Sequence, residues 1–181
     1  MSILKVARLG HPVLRRVTAP VSQVDLQSAA LQQLIDDMVE TMKEYDGVGL
    51  AADQVHESKQ LAVLEVADNP RYPSKPNVPL TVLVNPSVTP LSDEIEDDWE
   101  GCLSIPELRG KVPRYRRIRV TGWDRHGREL DFIAEDFHAR VIQHEFDHLH
   151  GKVYLDRMRD LSTLTFLHEF SRYWLRPDEQ D

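Results

Sequence analysis

The stretch Arg140–Asp156 reads RVIQHEFDHLHGKVYLD, and the fold turns on how its centre, His144-Glu145-Phe146-Asp147-His148, is taken. An α-helix advances about 100° per residue, so His144 and His148 stand about 40° apart on one face with Glu145 on its flank. Two neutral imidazoles so placed suit a metal ion, and a neighbouring carboxylate that does not bind it can accept a proton from water. The same five residues also fit an ordinary helical turn with a solvated polar face. Ile142, Phe146 and Leu149 make the opposite face apolar, which argues for burial on both sides. Buried histidines and acids need partners, and a shared metal supplies one. Phe137 and Val141 set an apolar wall beside such an ion. The helix is predicted from about Asp136 to Leu149, with Gly151 as its stop.

A third donor separates the alternatives. Metalloproteases that continue H-E-x-x-H-x-x-G-x-x-H keep the glycine of HEFDHLHG, but this chain offers Tyr154 where the last histidine belongs. Glu169, in FLHEF on a later predicted helix, is a weakly placed candidate, with His168 beside it. The favoured donor is Cys102, in WEGCLSIP, because a thiolate binds zinc or iron strongly and Glu100, Gly101 and Ser104 do not make a plain apolar core.

Outward from the motif, Asp25–Tyr45 places Leu31, Leu34, Ile35, Met38 and Met42 at three- and four-residue steps, the pattern of an amphipathic helix. Gln60–Val66 and Leu80–Pro86 are β-branched runs that predict strands, joined by the proline-rich surface loop ADNPRYPSKPNVP. Arg117–Trp123, the turn Asp124–Gly127 and the return Arg128–Phe132 predict a hairpin. A last helix is expected over Leu161–Leu175, before the acidic tail RPDEQD. The expected fold is α+β, with short antiparallel or mixed sheets around a central HExxH helix and a helix towards each end, in one domain over residues 1–181.

Of the 181 residues, 41% are hydrophobic and 29% charged, which is ordinary for a globular chain, and the net charge of −8 argues against a dedicated nucleic-acid binder. No segment approaches the roughly 20 apolar residues that cross a bilayer. The start lacks the apolar core of a signal peptide, and Cys102 as sole cysteine excludes an internal disulfide; both fit a reducing cytoplasm.

Three stretches together, GVGLAADQ (Gly47–Gln54), EGCLS (Glu100–Ser104) and QHEFDHLHG (Gln143–Gly151), resemble the signature motifs of peptide deformylases in that family's order. The resemblance spans nearly the whole chain. It implies a metal-dependent hydrolase that removes the formyl group from the N-terminal methionine of nascent polypeptides and releases formate. By the same resemblance Cys102, His144 and His148 hold one divalent ion, with ferrous iron expected natively and zinc, nickel or cobalt as alternatives. Glu145 is then the acid and base, and Gln54 with the Leu103 N–H donates to the developing oxyanion. Val48 and Gly49 hold the peptide by strand addition, Arg109 lies near its path, and the Phe137–Val141 wall suits the methionine side chain. Relatives often carry proline or threonine where this chain has Asp53, a charge expected to touch substrate preference. Asp147 is expected to pair with Arg114 and so orient the ligand helix.

The remaining histidines, 11, 56, 126, 138, 150 and 168, are read as surface or loop residues. A ribosome contact through the basic stretches or the last helix is a further expectation. The rivals are a metallopeptidase using Glu169 or His168, and a non-catalytic relative that binds nascent chains or metal. Glu145 and Gln54 speak against the latter, since neither is needed to hold an ion.

Overall fold

In the computed structural model, which describes residues 2–67 and 76–175, the first helical region is broken in two. In place of one helix over Asp25–Tyr45 there are α1 (Gln23–Leu26) and α2 (Ala29–Glu44). The cause is Ser28, whose hydroxyl donates to the Asp25 carbonyl at 2.6 Å and accepts from the Leu31 N–H at 3.2 Å, closing one helix and capping the next. The apolar stripe of α2 is nonetheless the expected one, with Leu31, Ile35, Met38 and Met42 buried.

The chain then forms β1 (Gly49–Ala51), β2 (Leu61–Val66), β3 (Val78–Pro90), β4 (Ile95–Cys102), β5 (Ile105–Tyr115), β6 (Arg117–Trp123) and β7 (Glu129–Glu135). Next come α3 (Asp136–Leu149), β8 (Thr165–Phe166) and α4 (Leu167–Tyr173). One sheet has the order β1-β2-β3-β6-β7 and the other β4-β5-β8, with every strand pair antiparallel. The expected α+β class is therefore present, without a parallel ladder among the described residues.

The larger sheet lies between two helices, and β2 shows why its sequence is apolar throughout. Leu61 and Val63 pack with Ile35 and Met38 of α2, while Leu64 and Val66 pack with Phe137 and Ile142 of α3. Alternate residues of a strand face opposite sides, so a strand covered on both faces needs no polar alternation. Each such side chain contributes about 1.5–3 kcal/mol by leaving water. The predicted hairpin is β6–β7, and α3 has the limits read from sequence, closed by Gly151 at φ +70°.

Two further elements differ from expectation. The last helix begins only at Leu167, because Thr165 and Phe166 pair with Arg109 and Leu108 of β5 and Leu164 closes a turn onto Leu161. Most of the proline-rich loop, residues 68–75, and the acidic tail lie outside the described residues. The β4–β5 hairpin is the larger addition. Its two-residue turn, Leu103-Ser104, follows Cys102 directly, and an irregularity in register between Glu100 and Cys102 re-aims the cysteine.

Candidate metal centre and active site

The hairpin tip and the buried face of α3 bring three donors together. The ligand atoms of Cys102, His144 and His148 lie within 4.8 Å of one another, the one such group among the described residues. Cys102 Sγ is 3.3 Å from His148 Nε2. Donors held at about 2.0–2.3 Å around a tetrahedral ion stand roughly 3.3–3.7 Å apart, so the spacing fits a metal. The electrostatics fit as well. Burial pushes the Cys102 thiol up, but the charge of His148 and hydrogen bonds from His144 and His148 outweigh it and hold the group well below its ordinary value. The thiolate is the form that binds metal.

Behind the donors stands a buried charge network. Arg114 grips Glu100 with two parallel hydrogen bonds of 2.9 and 3.0 Å, and Arg140 adds a third at 2.9 Å. Glu100 Oε2 stands 2.9 Å from His144 Nδ1, which leaves Nε2 of that ring for the ion. Burial alone would raise the Glu100 carboxyl; the Arg114 charge and the hydrogen bonds from His144 and Arg114 hold it well below the carboxylate range instead. Arg114 also pairs with Asp147 as expected, and Arg157 closes Asp147 from the other side. The sequence located Arg114–Asp147 but not Glu100 as the hub. Its partners come from β5 and two turns of α3, and no short-range pattern carries such a junction.

Glu145 lies beside the donors, 4% exposed, with Oε2 lacking a hydrogen-bond partner. Burial pushes it up to about 7 against the pull of His144 and His148, with Cys102 and Asp53 adding to the rise. A carboxyl titrating there can take and return a proton near neutral pH. Its place requires Gly49, since a Cβ at that position would stand 2.3 Å from Glu145 Oε1. Gln54 is pinned from both ends: Oε1 accepts from the Ala51 N–H at 2.9 Å, and Nε2 donates to Ser104 Oγ at 3.1 Å and meets Cys102 Sγ at 3.5 Å. Residues 7–9 tie its loop to the hairpin tip, Ala7 N–H donating to the Gln54 carbonyl at 2.7 Å and Leu9 N–H to the Ser104 carbonyl at 2.8 Å.

A pocket opens over the donors, and Val48, Gly49, Leu103, Phe137, Val141 and Trp99 are among its lining residues. Trp99, which sequence reasoning passed over, lies in the acidic run DEIEDDWE and meets Phe170 edge-on at 4.9 Å. Arg109 is not on this wall. It is 5% exposed and lies against Gly101, where a Cβ would come within 2.1 Å of Nη1. Asp53 is also turned away from the pocket, fully buried behind His148. Glu169 and His168 are exposed on α4, 3.3 Å from each other, and are not part of the donor group. His138 is half-buried, whereas His11, His56, His126 and His150 are exposed.

A cysteine and two histidines around one point, with a carboxyl group alongside and a pocket above, are the parts a mononuclear metallohydrolase needs. The family model for polypeptide deformylase matches residues 3–163, and the chain belongs to that family. It is 54% identical over 157 residues to peptide deformylase 1 of Bordetella pertussis, covering 87% of this chain and 88% of that one. It is 49% identical over 164 residues to peptide deformylase 2 of Ralstonia nicotianae, covering 91% and 92%. A class I type b peptide deformylase from Acinetobacter baumannii, solved with Met-Ala-Ser bound, superposes with a TM-score of 0.84 at 41% identity, covering 87% of this chain and 100% of that one. Members of the family are metal-dependent hydrolases that deformylate new polypeptides, and the endopeptidase reading is set aside. No helix among the described residues is long and apolar enough to cross a membrane.

Proposed function

We propose that Cys102, His144 and His148 hold one divalent ion, and that Glu145 serves as acid and base in removing the formyl group from the N-terminal methionine of nascent chains. The observation that carries this reading is the convergence of three donors with Glu145 alongside, its carboxylate clear of the thiolate and both rings. When bound, the ion polarises the formyl carbonyl and acidifies water, to a pKa of about 7 in favourable cases. Glu145 takes the proton of the attacking water and returns it to the leaving amine, so that formamide and water become formate and a free N-terminus. Gln54 Nε2, turning its second N–H from Cys102 Sγ, and the Leu103 N–H donate to the formyl oxygen as charge gathers on it. The loss of one such donor typically raises a barrier by about 3–4 kcal/mol.

The substrate backbone lies along β1, which ends its sheet beside the pocket, and is held by Val48 and Gly49. Phe137 and Val141 receive the methionine side chain. Arg109, from behind Gly101, braces the strand that ends in Cys102. Ferrous iron is the proposed native ion, with zinc, nickel or cobalt suited to the same sulfur and nitrogen donors. A single catalytic domain over residues 1–181, a cytoplasmic setting and a ribosome contact through the last helix belong to the same proposal. The last is checked by ribosome pelleting with and without the residues after Leu161.

The experiment is formate release from formyl-Met-Ala-Ser by the anaerobically purified chain, with metal analysis. Cys102→Ala should lose both ion and activity, whereas Glu145→Ala should keep the ion and lose activity. A Cys102→Ala protein that keeps one equivalent of metal would overturn the ligand set.

A further inference from the structure

Asp53 sits in the short 3-10 turn Ala52–Val55, 0% exposed, and neither of its carboxylate oxygens has a hydrogen-bond partner. Oδ2 lies 3.7 Å from Nδ1 of His148, which is itself buried and without a hydrogen-bond partner. The opposite nitrogen of the same ring, Nε2, faces Cys102 Sγ at 3.3 Å. Among the described residues, His148 is the one ion-pair contact of Asp53; no lysine or arginine reaches it.

We propose that Asp53 is a positioning residue for the metal centre. With the ion bound, its carboxylate closes the 3.7 Å gap and accepts the Nδ1–H of His148, which fixes the tautomer that leaves the Nε2 lone pair facing the ion and makes the ring a stronger donor. This rests on the reading of His148 as a ligand. Each imidazole then has its own carboxylate, Glu100 behind His144 and Asp53 behind His148. The two are not equivalent. Glu100 is neutralised by Arg114 and Arg140, so it fixes geometry and adds little net charge. Asp53 has no such cation, and a fully buried carboxylate without a counter-charge is unfavourable. A divalent ion on the far side of the imidazole balances it. Asp53 therefore strengthens the hold on the ion, where an uncharged side chain at this position would only fill space.

The test follows the ion rather than turnover. The zinc-loaded full chain is mixed with excess chelator and zinc release is timed for wild type, Asp53→Asn, Asp53→Ala and His148→Ala. Asp53→Asn keeps the shape and an acceptor oxygen but loses the charge, and should release zinc about 10–100-fold faster. In the wild type, imidazole NMR should show His148 protonated on Nδ1 with slow solvent exchange, a readout that survives if the variants fold poorly. A His148 ring without a proton on Nδ1 overturns the proposal. If His148→Ala keeps its zinc, the inference falls together with the reading it rests on. If His148→Ala loses zinc and Asp53→Asn releases it at the wild-type rate, the inference alone falls.

Discussion

Arg114→Ala strikes the joint between the hairpin and the ligand helix, and its size can be worked out from the partners that remain. Arg114 gives Glu100 two hydrogen bonds and Asp147 one, at 5% exposure. Breaking a buried ion pair costs about 3–5 kcal/mol, because a charge is left without its partner. Here neither carboxylate is stranded: Glu100 keeps Arg140 and His144, and Asp147 keeps Arg157. The lower end, about 3 kcal/mol, is therefore expected. A chain of this length loses about 2–4 °C per kcal/mol, which gives a fall in Tm of about 6–12 °C. Arg114→Lys keeps the charge but not the fork that fits a carboxylate, and should fall between. Circular dichroism melts of metal-loaded and chelator-treated protein measure both, and the release of the ion should quicken as His144 loses its fixed support. A Tm shift below about 2 °C together with unchanged metal retention would refute the argument that this network carries the site.

Glu145→Gln should retain one equivalent of metal while kcat falls about 10²–10⁴-fold, read by formate release. Gly49→Ala would drive a methyl to within 2.3 Å of Glu145 Oε1, and the displaced carboxylate should lower kcat/KM by roughly 10²-fold without loss of the ion. The Asp147 carboxyl is pushed up by burial but held below its ordinary 3.8 by Arg157 and Arg114. A lowered folded-state value stabilises the protein above the unfolded value, and that stability is lost as pH falls through the lowered one. Urea melts of wild type and Asp147→Asn should therefore differ near neutrality and converge as the pH is taken below 3.8.

The helix Asp136–Leu149 and the hairpin after Arg117 were legible because local periodicity and a turn signal agree with the tertiary packing. Likewise the three donors were legible in the motifs, and one pair 33 residues apart, Arg114–Asp147, followed from their resemblance to a known pattern. The β4–β5 hairpin was not, since IEDDWEGC carries residues depleted in strands and its partner holds Pro106 and Pro113. It forms because one face is neutralised by Arg114 and Arg140 and its inner end covers the core around Val112 and Tyr154. Glu100 as hub and Asp53 behind His148 are junctions of elements distant in sequence, whereas Arg109 behind Gly101 belongs to the β4–β5 hairpin itself. The shortened last helix has the same origin: Thr165 and Phe166 have a free strand edge to join, and pairing with β5 overrides helical periodicity.

Because β1 is the outermost strand of its sheet and borders the pocket, what it offers a visitor is amide and carbonyl groups rather than side chains. Every polypeptide carries the same amides at the same repeat, whatever its residues. If peptides are held there as proposed, the grip reads the repeat of the main chain and leaves the lettering of the message to the pocket beside it.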